Sequence, residues 1–498
     1  MSGTESPVWA RHLPPGVDPA TVDLLARGSL PAAWAATWAA SPDAPAVHDD
    51  HGWLTNADLD ARSRQIAGRF AGAGLGAADR IVMSAATSVE LAIAHVAALR
   101  LGLVVVPVNG AYTVREVGHI VDDCAPAACV VDADRTEVFR SVASDACILT
   151  APAVDLPDAD APALDRAEPS DLAMLCYTSG TTGAPKGAML THGNALASSE
   201  AVRLAWRWTE HDRLVLALPL FHVHGLGVGL HGTLLAGASA VLLPRFDPDA
   251  VFDAARDHDA SLFFGVPTMY ARLGASARVA ELARLRLCVS GSAPLPASLH
   301  EQLLAGAGVV VLERYGMTET LMNVSNPYDG ERRAGTVGFP LPGVEVRLEE
   351  PSGEILLRGP NVFPGYWGRE DATGDAFTPD GWFRSGDVGA HDDDGYLRIV
   401  GRAKELIISG GYNVYPREVE DVLLGHPAVA EVAVVGEHSD EWGEVVVAVV
   451  VPASDEQDPE ALLAFAAELL APYKRPRRVR YVDRLPRNAL GKVVRAHL

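Results

Sequence analysis

Tyr177-Thr178-Ser179-Gly180-Thr181-Thr182-Gly183-Ala184-Pro185-Lys186-Gly187 is the stretch from which the rest of the chain can be ordered. It gathers hydroxyls, glycines and one lysine into a run too polar and too flexible to be core. The apolar residues 172–176 just before it read as a short buried strand. Glycines permit turns that aim several N–H groups into one concavity, while Thr178, Ser179, Thr181 and Thr182 add hydroxyl donors and Lys186 adds a charge. These are the properties of a loop that holds phosphate. Lys186 is followed by Gly187, not by a hydroxyl that could meet a metal ion, so the loop does not fit G-x-x-x-x-G-K-[ST]. A solvated Ser/Thr/Gly linker is the plain alternative.

The chain around this loop has 498 residues, 48% hydrophobic and 21% charged. That length exceeds what one core usually supports, so two or more domains are expected. No apolar run reaches the roughly 20 residues of a membrane span, and residues 1–16 lack the pattern of a secretory signal. The expected location is therefore cytoplasmic. With 64 acidic and 41 basic residues the net charge is −23, which disfavours nucleic acid and anionic membranes as partners. A polyanionic small ligand must then meet local positive charge, as at Lys186 and near the C-terminus. Cys124, Cys129, Cys147, Cys176 and Cys288 are odd in number and without metal-site spacing, which fits reduced core thiols.

Along the chain, helical and strand patterns alternate: a helix over 54–74, a strand over 80–84, a helix over 89–101, and strands over 104–108, 128–131, 214–218 and 240–243. This predicts an α/β protein with largely parallel, buried sheets. Residues 1–40, rich in Pro and Ala with Trp9, Trp34 and Trp38, form an arm expected to pack on the main body. After Gly401-Arg402-Ala403-Lys404 the pattern changes to α+β, with strands over 429–435 and 444–451 and a helix over 459–470. Lys404 is placed at the boundary. An ordinary turn between strands is the alternative there.

Further polar motifs follow in order. Leu218-Pro219-Leu220-Phe221-His222-Val223-His224-Gly225-Leu226 carries two histidines, either of which could be a core residue satisfied by backbone. Ser290-Gly291-Ser292-Ala293-Pro294 puts small residues after a strand, which lets a flat ligand approach but also makes a plain turn. Arg314-Tyr315-Gly316-Met317-Thr318-Glu319-Thr320 follows the apolar run 309–312. Taken alone, Thr318 and Glu319 read as a helix cap and its N-terminal acid. Trp382-Phe383-Arg384-Ser385-Gly386-Asp387, the glycine turn of Ser409-Gly410-Gly411-Tyr412-Asn413 with Pro416-Arg417-Glu418-Val419-Glu420, and Pro486-Arg487-Asn488-Ala489-Leu490-Gly491-Lys492 complete the set.

Together, from about residue 40 to the end, these motifs resemble those of the adenylate-forming superfamily: acyl-CoA synthetases, luciferases and the adenylation domains of peptide synthetases. The resemblance implies a large N-terminal domain of mixed sheets and helices (1–403) and a small, mobile α+β cap (404–498). It implies that Thr178, Ser179, Gly180, Thr181, Thr182, Gly183 and Lys186 hold the ATP phosphates. Gly291, Ser292 and Ala293 would wall the adenine, Tyr315 would stack on it, and Gly316 belongs to the same motif. Thr318 would contact the α-phosphate and Glu319 would hold Mg2+, a hard cation that prefers oxygen ligands. Asp387 would accept the ribose hydroxyls, with Arg402 as its companion. Lys492 would bridge the acid and the α-phosphate as charge develops. Lys404 would be the hinge, and Gly410, Gly411 and Tyr412 would line the CoA path once the cap has turned.

The implied activity is an ATP-dependent acid:CoA ligase that forms acyl-AMP plus pyrophosphate, then acyl-CoA plus AMP. The absence of a carrier domain favours a free-standing ligase. His222 resembles the gate beside the substrate carboxylate. Leu242-Leu243-Pro244-Arg245-Phe246-Asp247, Gly265-Val266-Pro267-Thr268-Met269-Tyr270 and residues 321–330 resemble malonyl-CoA synthetases, which makes malonate or another short dicarboxylate the expected acid. Arg245, Gly265 and Met322 would then line the acyl site, with Arg245 on the distal carboxylate. Three alternatives stay open: a fatty, aromatic or secondary-metabolite acid, in which case Arg245 is structural; a nucleotide-binding protein; and an enzyme of one half-reaction. One departure is a short hairpin, with only 349–353 between its strands.

Overall fold

The computed structural model describes residues 6–49, 51–143, 146–150, 156–178, 185–409, 412–439, 442–454, 457–487 and 492–498. A six-stranded sheet runs in the order Cys147–Thr150, Ala128–Val131, Arg80–Ser84, Val104–Pro107, Leu172–Thr178 and Lys186–Thr191. All its neighbours are parallel except the last pair. The three valines of Val104–Pro107 show why such a strand forms at the centre: Val105 enters one core with Ile81 and Met174, and Val104 and Val106 enter another with Val82 and Leu175. A run apolar on both faces suits a sheet covered on both faces.

The second sheet has nine strands. Arg213–Leu216, Ser239–Leu242, Leu262–Gly265, Leu287–Ser290 and Leu312–Met317 are parallel, with Leu321–Ser325 and Phe339–Pro340 antiparallel at one side. Pro45–Asp49 and Gly52–Thr55 close the other side. A helix, Val89–Leu101, is buried along nearly its whole length. The Leu91 N–H donates to the Ser88 side chain at its start, and Gly102 at φ 85° ends it. Its Arg100 is buried but fully partnered, by Asp60 at 2.8 Å and Asp165 at 3.0 Å.

Several expectations shift. The helix expected over 54–74 is Asn56–Gly72, because Gly52–Thr55 pairs as an edge strand. The strand expected over 309–312 begins at Leu312 and runs to Met317, so Thr318 and Glu319 lie in a turn between antiparallel strands and cap no helix. Cys147, expected in the core, is exposed on the edge strand, while the other four cysteines are buried. The arm does pack: Leu13, Trp34 and Trp38 are buried and the His12 ring bonds the Phe339 carbonyl at 3.1 Å.

A four-stranded antiparallel sheet, Glu345–Glu349, Glu354–Arg358, Phe383–His391 and Leu397–Arg402, follows, its first two strands joined by the short hairpin. One 3-10 turn, Ala403–Glu405, separates it from Ile407–Ser409, which belongs to a five-stranded sheet with its own core. Pro416–Leu423 contributes Val419 and Leu423 to that core, and Pro459–Leu469 contributes Leu462 and Ala466. Among the described residues no helix is long and apolar enough to cross a membrane.

Candidate functional site

The C-terminal ends of Leu287–Ser290 and Leu312–Met317 open toward the residues that the sequence motifs single out, which is where open parallel sheets place their ligands. From Met317 the chain makes a tight turn, Thr318 to Thr320, and returns as Leu321–Ser325. That turn is gripped from outside. The Phe363 N–H donates to the Glu319 carbonyl at 2.9 Å, and the buried Asn361 amide donates to the carbonyls of Thr320 and Met322 at 2.7 and 3.1 Å. Gly316 lets the returning strand close, since a Cβ there would strike the Leu321 carbonyl.

On the nucleotide side, Thr178 ends one strand and is paired in register with Lys186, which begins the next. Ser179, Gly180, Thr181, Thr182 and Gly183 lie outside the described residues. The Lys186 ammonium sits 4.4 Å from the centroid of the Tyr366 ring, and the Tyr366 hydroxyl donates to Glu319 Oε1 at 3.0 Å. Burial pushes the Glu319 carboxyl up, against that hydrogen bond. Among the described residues no cluster of three or more His, Cys, Asp or Glu could form a metal cage. A hard dication would find here one buried carboxylate, with phosphate oxygens and water left to complete its shell, a donor set that fits Mg2+.

The ribose carboxylate expected at Asp387 is buried, and it is oriented from both sides. Tyr315 Oη donates to one oxygen at 2.6 Å and Arg402 Nε lies 3.0 Å from the other. Each carboxylate oxygen keeps a second lone pair for a ligand hydroxyl. Burial, then the Asp387 charge, raises the Tyr315 phenol well above its usual value, so it remains a donor. Lys492 lies in the C-terminal segment beyond Arg478–Tyr481, the last strand of the C-terminal sheet, and stands in the charge field of this group: desolvation and Arg402 lower its ammonium, while Asp387 and Glu319 hold it up.

The side expected to take the acid is bordered by the turn of residues 218–223, the π-helix His224–Leu230 that follows it, and the Leu312–Met317 strand. The His224 N–H donates to His222 Nδ1 at 3.2 Å, which leaves the His222 proton on Nε2. Burial, with Lys492 and Arg314 adding to it, lowers His222 to about 3, so the ring is a neutral donor. His224, for which a core place satisfied by backbone was one reading, pairs its Nδ1 with Ser292 Oγ at 3.2 Å and leaves Nε2 buried without a partner. Ser292 makes this contact from a left-handed conformation, φ 69°. Met322 is buried, its N–H donating to Ser198 Oγ at 3.3 Å.

Two expected acyl-site residues, Arg245 and Gly265, have the following surroundings. Arg245 is exposed beyond the end of its strand, with no hydrogen bond or ion pair among the described residues, so it is not a guanidinium shielded from water. The space a Gly265 side chain would fill is taken by the rings of Phe263 and Tyr270, so only glycine lets these rings close on the strand. The shielded cation is Arg314. It is buried, its Nε and Nη2 have no partner, and it makes no ion pair among the described residues. Desolvation alone lowers it to about 9. A Cβ on Gly291 would run into its guanidinium, so Gly291 makes room for Arg314, beside Ser292 and the exposed Ala293. Sequence reading quoted Arg314 without giving it a role, and passed over Tyr366; only burial without a partner marks the first, and only contact marks the second.

Lys404 is exposed in the single turn between the two C-terminal sheets. Gly410 and Gly411 lie outside the described residues. Tyr412 is exposed and stacks on Tyr473 at 4.8 Å between centroids.

Residues 34–367 match the AMP-binding enzyme family and residues 418–492 match the AMP-binding enzyme C-terminal domain. The chain is 38% identical over 480 residues to a feruloyl-CoA synthase of Amycolatopsis sp, covering 92% of this chain and 96% of that protein. It is 36% identical over 452 residues to a malonate–CoA ligase of Arabidopsis thaliana, covering 80% and 74%. Its structure is similar to ATP-bound MatB from Rhodopseudomonas palustris, with TM-score 0.88 and 39% identity over 93% of this chain and 97% of that one.

Proposed function

The chain belongs to the AMP-binding enzyme family, and on that footing we propose that the acid it activates is a short dicarboxylate such as malonate or methylmalonate. The protein is an AMP-forming acid–thiol ligase that uses ATP, Mg2+ and CoA. A substrate carboxylate oxygen attacks the α-phosphorus and pyrophosphate leaves; the CoA sulfur then attacks the acyl carbon and AMP leaves.

In this reading the body, 1–403, holds the nucleotide and the acid, and the cap, 404–498, supplies Lys492 and turns about Lys404. Tyr315, Asp387 and Arg402 orient the nucleoside, and Gly291, Ser292 and Ala293 border it. Thr178, Lys186 and the loop between them hold the phosphates, with Thr318 at the α-phosphate. Glu319 would hold Mg2+, which when bound would supply positive charge to offset that of the phosphates. Neutral His222 donates from Nε2 toward the reacting carboxylate, and Lys492 stabilises charge shared between that carboxylate and the α-phosphate. After the cap turns, Gly410, Gly411 and Tyr412 line the thiol path.

The observation that carries the dicarboxylate reading is Arg314. A buried guanidinium without a partner is costly, and it is retained where an anion completes it. Arg100 illustrates the ordinary solution, a buried guanidinium paired within the fold. A carboxylate at the far end of a short acid supplies the missing partner to Arg314, whose charge also acts on the buried His224. The similarity to feruloyl-CoA synthase favours a second reading, an aromatic acid, but an apolar acyl group would leave Arg314 unmatched. Pyrophosphate release with malonate, methylmalonate, butyrate and ferulate, each with and without CoA, tests this. The expected result is a preference for the dicarboxylates; turnover of ferulate or butyrate above malonate would refute it.

A further inference from the structure

The phenol of Tyr366 touches both of the charged side chains proposed to meet the triphosphate, and neither contact follows from the sequence motifs. Its hydroxyl donates to Glu319 Oε1 at 3.0 Å, and its ring carries the Lys186 ammonium at 4.4 Å. The backbone around it is tied to the strand that Lys186 begins. Ala188 forms a β-bridge with Tyr366, the Met189 N–H donates to the Gly365 carbonyl at 3.1 Å, and the Trp367 N–H donates to the Gly187 carbonyl at 2.8 Å. On the other side the Tyr366 N–H donates to Thr373 Oγ1 at 2.9 Å, and the ring meets Phe363 edge to face at 4.9 Å. The same segment grips the Glu319 turn through Phe363 and Asn361. Residues 361–367 therefore bridge two parts of the site that are far apart in the chain.

We propose that Tyr366 is a positioning residue that couples Lys186 to Glu319: the hydroxyl holds one carboxylate oxygen, and the ring face seats the ammonium beside it. The inference rests on the assignment of Glu319 as a ligand of the divalent ion. A carboxylate with one oxygen fixed by a rigid donor presents the other in a set direction, and partners of this kind govern metal affinity without touching the metal. An ammonium over a phenol ring keeps its full charge, since the ring supplies quadrupole attraction and not a counter-ion. Lys186 is thereby held next to Glu319 without being neutralised by it, and phosphate oxygens can take the charge.

The two functions of the phenol can be separated. Tyr366→Phe keeps the ring and removes the hydroxyl; Tyr366→Leu removes both. Mn2+ binding in the presence of ATP, followed by electron paramagnetic resonance, is expected to weaken about 10-fold in Tyr366→Phe, the scale for an outer partner of a metal ligand. Metal-free ATP binding by calorimetry should stay within about 2-fold of the parent, because the ring contact to Lys186 remains. Tyr366→Leu should weaken metal-free ATP binding as well. Parental melting temperature in Tyr366→Phe establishes that the fold is intact, and this variant alone decides the hydroxyl's role if Tyr366→Leu does not fold. Glu319→Gln is the control for the underlying assignment. Parental Mn2+ affinity in Tyr366→Phe, with loss in Glu319→Gln, overturns the coupling and leaves the metal assignment standing. Parental affinity in both overturns both.

Discussion

Replacing Arg314 by methionine should make the free protein more stable and at the same time destroy its use of a dicarboxylate. The side chain is buried without a counter-charge, and desolvation brings its pKa down from the ordinary guanidinium range to about 9. At ~1.4 kcal/mol per pH unit that displacement corresponds to an upper bound of roughly 5 kcal/mol against the folded state at neutral pH. The sign is fixed by the direction: the folded protein binds the proton less tightly than the unfolded chain, so the cost is fully present below pH 9. Relaxation and water entry reduce it, and about 2 kcal/mol of stabilisation is expected from a methionine of similar length. Without Arg314 the second carboxylate of malonate enters a shielded site unpaired, at a cost of roughly 2 to 5 kcal/mol, or about 30-fold to several thousand-fold in kcat/KM. Butyrate has no such charge and should lose about 3-fold or less. The assay is pyrophosphate release with malonate and butyrate in both proteins, beside urea unfolding of each. Equal losses for the two acids, or a destabilised variant that still prefers malonate, would refute the reasoning.

Lys492→Ala should slow acyl-AMP formation by ~100-fold or more, the scale for one preorganised donor, while thioester formation from synthetic acyl-AMP survives; unchanged ATP–pyrophosphate exchange would exclude the role. Lys404→Pro fixes φ in the turn between the two C-terminal sheets and should spare adenylation but slow thioester formation, and a parental rate of acyl-CoA formation from acyl-AMP would show that the hinge lies elsewhere. Acid should unfold the protein early. Burial lowers His12 to about 4, His95 to about 3 and His192 to about 4, so each stays neutral in the fold while the unfolded chain takes up protons below about pH 6.5. Stability is present above that pH and falls below it, by about 1.4 kcal/mol for each histidine at pH 5.5; a melting temperature that does not fall between pH 7.5 and 5.5 would contradict this.

The sequence by itself determined a good deal. Runs such as Val104–Val106, apolar at every position, can only be satisfied inside a sheet covered on both faces, and the alternation of helix and strand followed from that. Glycine and hydroxyl motifs are local devices whose chemistry is carried by neighbours in the chain, and the change of character after Lys404, where a new sheet begins at Ile407, was legible from the change of pattern. What the tertiary structure decided depends on what surrounds a side chain. Arg245 follows one strand and Arg314 lies within another, yet the first is exposed and the second is buried without a partner. Thr318 and Glu319 read as a helix start, but Leu321–Ser325 returns antiparallel and makes their segment a turn. Tyr366 lies 47 residues beyond Glu319 in the chain and still donates to it. Local pattern sets which backbone conformation is cheap, whereas desolvation and pairing depend on groups brought from distant parts of the chain, and no periodicity encodes them.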